Sequence, residues 1–163
     1  MKIVIEREAD RARALYLIEE GPLLPVRVVT IEEYAEDRSA AQNRLSFLWY
    51  NAAADQLKDE PASDKRAYCK LHFGVGILKD GKGKNSEKFR DVYDRVIRPL
   101  TYEQKIELMK APIDLPVTSL MGVIQFSQYL DAVQQHFTRI GVELPMPDDL
   151  YALAMGQKKE KKP

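Results

Sequence analysis

A chain of 163 residues has room for one domain, and 45% hydrophobic with 31% charged residues is a globular composition. The 25 Lys+Arg against 25 Asp+Glu exclude a uniformly basic nucleic-acid binder, though not a charge-segregated one. The single cysteine, Cys69, excludes an internal disulfide and a cysteine-rich zinc site.

In chain order, residues 2–6 alternate weakly, and 7–20 read as a helix whose apolar stripe is Ala12, Leu15 and Ile18 with Tyr16, stopped by Gly21-Pro22. Val26, Val28, Val29 and Ile31 predict a strand over 25–31, since β-branched side chains suit a pleated surface. The start therefore reads β-α-β. Ser39 and Gln42 have the spacing of a capping box, followed by a helix with Leu45, Leu48, Trp49 and Ala52 on one side as far as Pro61. A helix over 63–73 is followed by a glycine-bearing loop from Gly74 to Ser86. Phe89, Val92, Tyr93, Val96 and Ile97 then recur at helical spacing until Pro99, and Thr101 with Gln104 supplies a second capping box.

The longest helix is predicted over about 119–140. Phe126, Leu130, Val133, Phe137 and Ile140 form a heptad-like seam suited to a partner, and Gly141 is its stop. Pro147-Asp148-Asp149 opens a short terminal helix. The expected fold class is α+β: an N-terminal β-α-β unit before a mostly helical body, one domain over 1–157 and a basic disordered tail over 158–163. No apolar run approaches the roughly 18 residues that span a bilayer, and the start has no apolar core for a signal peptide. A cytoplasmic protein without a membrane partner is expected.

Charge is segregated within the neutral total. Residues 61–110 carry 12 Lys/Arg against 7 Asp/Glu, and 65–98 alone carry 10 against 4. There Lys65, Arg66, Lys70, Lys79, Lys82, Lys84, Lys88, Arg90, Arg95 and Arg98 interleave with Tyr68, His72, Phe73, Phe89 and Tyr93. Cations follow a phosphate backbone while aromatic faces stack on unpaired bases. Phosphate contacts are therefore assigned to Lys65, Arg66, Lys70, Lys79, Lys82 and Lys84, and base stacking to Tyr68 or Trp49. Gly76 to Lys82 has a G-x-x-x-x-G-K skeleton, but Gly83 stands where a phosphate-binding loop needs Ser or Thr. Cys69 and His72 share a helical spacing, yet His136 is the only other histidine, too few N or S ligands for zinc. Asp91 and Asp94 sit one turn apart among arginines, where surface charge pairs explain them more simply than a magnesium site. No catalytic residue, metal ligand or cofactor is assigned.

At Arg38-Ser39-Ala40-Ala41-Gln42-Asn43-Arg44, followed by Trp49, the chain resembles the phage NinB (Orf) family of lambdoid recombination proteins. The match runs over 25–56 and more loosely over 116–150, where Pro116 to Met121 leads into Phe126, Tyr129 and Leu130. The resemblance implies a homodimeric, non-enzymatic recombination mediator acting in a bacterial host cell. Such a protein binds single-stranded DNA, acts with single-strand-binding protein and helps load a recombinase or annealing protein. Carried over by position, Arg38, Ser39, Gln42, Asn43 and Arg44 are the shared motif, with Arg38 and Arg44 the candidates for phosphate. Two rivals stand beside this reading: a magnesium-dependent DNA nuclease or resolvase, and a protein-interaction adaptor whose lysines only solvate it.

Overall fold

The computed structural model describes residues 3, 5, 8–22, 29 and 38–156, and of Arg38 only the backbone. The chain divides into two compact units, Met1–Glu36 and Asp37–Pro163. In the first, α1 (Glu8–Glu19) ends just before Gly21-Pro22. Its expected apolar stripe is not buried: Leu15, Tyr16 and Ile18 are all exposed.

Every regular element among the described residues is helical, so the α+β class with its β-α-β unit is replaced by an all-helical one. The expected strand over 25–31 lies outside the described residues except for Val29, which carries no strand, as do Ile3 and Ile5 from the 2–6 stretch. Two short strands need further partners, and among the described residues the body of the chain offers only helices.

The second unit is built around α2 (Arg38–Leu57), which packs on α3 (Ala62–Cys69), α7 (Val123–Arg139) and α8 (Asp148–Met155). Ala41, Leu45, Trp49 and Ala53 repeat every four residues and are all fully buried. They meet Phe126, Tyr129, Leu130, Val133 and Phe137 of α7. The seam expected to face a partner is therefore used inside the chain, and Ile140 at its end is exposed. With 20 residues against 17, α2 rather than the 119–140 helix is the longer. Gly141 (φ 87°) and Gly156 (φ 70°) adopt the left-handed conformation that ends α7 and α8.

A second cluster gathers Ala67, Val75, Leu78, Phe89, Tyr93, Ile97, Met109 and Val117. The loop expected from Gly74 to Ser86 is mostly helix. From α3 the chain runs through a π-helical turn (Lys70–Gly74) directly into α4 (Val75–Asp80). Gly74 is a packing glycine, not a loop glycine: a Cβ there would lie 2.8 Å from Val117 Cγ1. The Gly76–Lys82 skeleton thus begins on α4 and cannot wrap a phosphate as a loop. Only Gly81-Lys82-Gly83 separates α4 from α5 (Lys84–Val92), which continues into a second π-helical turn, Tyr93–Ile97. At α6 (Tyr102–Met109) the expected capping box is formed: Thr101 N donates to Gln104 Oε1 (3.0 Å) and Gln104 N to Thr101 Oγ1 (3.3 Å).

Candidate nucleic-acid interface

The cations divide into two groups. Lys65 is buried and its ammonium lies 2.6 Å from Asp59 and 3.5 Å from Glu60. Lys70 is 1% exposed, and its Nζ donates to Asp114 Oδ1 (2.6 Å) and to the Met109 carbonyl (3.2 Å). Arg66 grips the same carboxylate with two nitrogens, at 2.6 and 3.2 Å, and lies over the Phe47 ring. The Arg66 hydrogen bond first, and Lys70 with it, hold Asp114 down at about pKa 2, while burial draws Lys70 below the usual lysine range. Lys79 meets Asp94 at 2.5 Å, above the Tyr93 ring.

Lys65, Arg66, Lys70 and Lys79, expected on phosphate, are each paired with a carboxylate of the same chain, Arg66 and Lys70 sharing the one of Asp114. Spacing alone does not show this, because Asp114 is 44 residues from Lys70 in sequence.

The motif residues are also largely structural. The expected Ser39–Gln42 capping box is not formed, because α2 already begins at Arg38 and the Gln42 amide turns inward. Gln42 Nε2 donates to the Val123 carbonyl (2.8 Å), Ser127 Oγ (2.9 Å) and the Ala154 carbonyl (3.1 Å). One side chain thus clamps α2 to both α7 and α8. Trp49, expected as a base-stacking platform, is fully buried with its indole Nε1 on the Pro145 carbonyl at 2.8 Å. Its rings cannot meet a base. Asn43 and Arg44 are exposed, Ser39 is half-buried, and the Arg38 side chain is outside the described residues.

The second group of cations lies on one helical edge. Along α5 and the π-helical turn after it, Ser86, Phe89, Tyr93 and Ile97 are the buried row. The opposite side exposes Lys84, Lys88, Arg95 and Arg98, with Lys82 just before it. Lys82, Lys84, Lys88, Arg95 and Arg98 make no ion pair among the described residues, and only Glu87 and Asp91 dilute them on this face. Arg90 is not part of it: its guanidinium caps α4 by donating to the carbonyls of Lys79 and Gly81. Of the expected phosphate contacts only Lys82 and Lys84 belong to this edge. Lys88, Arg95 and Arg98 join them, placed opposite Phe89 and Tyr93 by the amphipathic spacing of this helix.

Tyr68, the other expected stacking ring, is half-buried within an aromatic cluster. It stacks on His72 at 4.1 Å between centroids and contacts His136 at 5.1 Å and Phe73 at 6.1 Å. His72 Nε2 lies 3.0 Å from the hydroxyl of Tyr102. Partial desolvation holds both histidines below their usual pKa although His72 stays exposed, and for His136 the charges of His72, Arg139 and Lys65 add to it. The unfolded chain takes protons near pH 6.5 that the folded chain refuses, so this part of the stability is complete above about 6.5 and falls as pH falls. The urea midpoint is expected to be lower at pH 5.5 than at 7.5, and the double variant His72→Gln/His136→Gln to flatten that difference.

Cys69 is buried, and burial pushes its thiol up to about 12, far from an activated nucleophile. Among the described residues no three His, Cys, Asp or Glu side chains gather as a metal ion would need. Asp94, weighed with Asp91 for magnesium, is held by Lys79. An open concavity between α2 and α3 is lined by Asp55, Asp59 and Glu60, the wrong sign for phosphate. No helix among the described residues is long and apolar enough to cross a membrane. Compared with protein-family models, with curated proteins and with solved structures, the chain finds no match in any of the three.

Proposed function

We propose that this chain is a non-enzymatic binder of single-stranded DNA whose contact surface is the Lys82–Arg98 edge. The observation that carries the reading is the division of the cations: Lys65, Arg66, Lys70 and Lys79 are paired with carboxylates of the chain, whereas Lys82, Lys84, Lys88, Arg95 and Arg98 lie along one helical edge with no ion pair among the described residues. A row of unpaired cations on a protein of zero net charge attracts a phosphate backbone locally, without sequence preference. The NinB-like motif adds recombination as the setting, with single-strand-binding protein and a recombinase or annealing protein as partners. The homodimer implied by that resemblance must use a face other than the Phe126–Phe137 seam, which is buried.

The test is a gel-shift titration of single-stranded, duplex and forked DNA, with and without Mg²⁺. Retention of intact single strands at low salt is the expected result. Shortened strands in Mg²⁺ would establish the nuclease instead, and no retention at low salt would leave the protein adaptor.

A further inference from the structure

In sequence the basic edge is followed at once by an exposed aromatic residue. Four residues beyond Arg98, Tyr102 opens α6 with half of its surface in water, although its hydroxyl is tied to His72. The two rings lie 5.7 Å apart at 55°, and His72 is itself backed by Tyr68 at 4.1 Å. Tyr102 therefore stands on a supported ring assembly rather than on a free side chain, so its orientation costs little entropy on binding. Arg98 precedes it and Lys105 follows one helical turn later. Glu103 is next in sequence, and the Tyr102 hydroxyl pKa is raised by desolvation first, then by Tyr68, with Glu60 and Glu103 adding to it. Those two carboxylates disfavour a phosphate over the ring and leave the uncharged base as the group that meets it.

We propose that Tyr102, braced by His72, is a base-stacking site for a single strand whose phosphates run along Arg95, Arg98 and Lys105. The inference rests on the nucleic-acid reading above and adds to it where a base, rather than the backbone, is held. Cations that follow the backbone beside an aromatic ring are the usual composition of sequence-tolerant single-strand sites. Tyr102 takes the part expected of Trp49, which is buried, and of Tyr68, whose ring is covered by His72 and His136.

The experiment compares two probes of equal length, oligothymidylate and a fully abasic strand with the same phosphates, on the full chain and on Tyr102→Ala, Tyr102→Leu and Tyr102→Phe. Removing the ring is expected to weaken oligothymidylate binding by about 5-fold or more, the lower end of single-base stacking. Affinity for the abasic strand and the salt dependence should stay as they were, and Tyr102→Phe, which keeps the ring but gives up the hydroxyl's tie to His72, should lose much less than the ring-less variants. Tyr102→Leu keeps apolar packing over His72, so its loss of oligothymidylate binding separates stacking from misfolding. Unchanged affinity in both ring-less variants, or an equal loss on the abasic strand, overturns the stacking site while leaving the basic edge intact. Failure of the parent to retain either probe overturns both.

Discussion

Trp49→Ala is expected to destabilise the second unit by about 3–5 kcal/mol, the range for removing a large aromatic side chain from a packed interior. The side chain is fully buried where α2 meets α7 and α8, and its indole proton satisfies the Pro145 carbonyl in the segment leading into α8. The loss is a cavity and a lost tether together, a large part of the 5–15 kcal/mol that holds a typical domain. Trp49→Phe keeps most of the buried area and forfeits the hydrogen bond, for about 1 kcal/mol. Urea unfolding followed by far-ultraviolet circular dichroism checks both values. Trp49 is the only tryptophan. Its fluorescence should therefore stay unquenched when single-stranded DNA is added, because no base reaches it.

Asp114→Ala is the second large effect. It removes the carboxylate shared by Lys70 and Arg66 and leaves a lysine with 1% exposure beside a single carbonyl. Stranding one member of a buried pair costs about 3–5 kcal/mol, and the lower end applies here because Asp114 itself is 43% open to water. Lys70→Met is expected to cost much less, since it removes the buried charge and the demand for a partner together. In the double variant most of the Asp114→Ala loss should return, a coupling that a double-mutant cycle in urea reads directly. The same carboxylate gives an acid limb. Held at about pKa 2, Asp114 contributes stability that is complete above its unfolded pKa near 4 and is lost as pH falls through 2.

Helix periodicity was the legible part of this chain. The α7 seam, the Thr101 capping box, the Gly141 stop and the row of Phe89, Tyr93 and Ile97 can be read from spacing, because each is a local pattern within one element; Val92 and Val96, read into the same stripe, are exposed. Gly74 misleads for the opposite reason. Its role is close contact with Val117, 43 positions away, so a glycine that looks like a loop signal is a packing residue within a helix. Gln42 misleads likewise: its offset from Ser39 is that of a cap, but its partners lie 81 to 112 residues along the chain.

The basic segment shows the same boundary between local and distant information. Ten cations in 65–98 form one sequence feature, but the carboxylates they meet in the fold, and for Arg90 the carbonyls of Lys79 and Gly81, decide which of them face water as free charges. Asp114, Asp59, Glu60 and Asp94 remove Lys70, Arg66, Lys65 and Lys79 from it. What remains is a smaller surface than composition suggests, shifted from the glycine-bearing loop onto the outer face of α5.

The most direct measurement of that surface is the salt dependence of oligothymidylate binding. Engagement of Lys82, Lys84, Lys88, Arg95 and Arg98 predicts a slope of about −3.5 in log K against log salt for a single strand. In the triple variant Lys82→Glu/Lys84→Glu/Lys88→Glu affinity should drop sharply and the slope flatten to about −1.4 or less, with urea stability unaltered. Reversal of Lys58, an exposed cation near the acidic α2–α3 concavity, should change neither. A triple variant that binds with the affinity and slope of the parent would contradict the assignment of DNA to this edge.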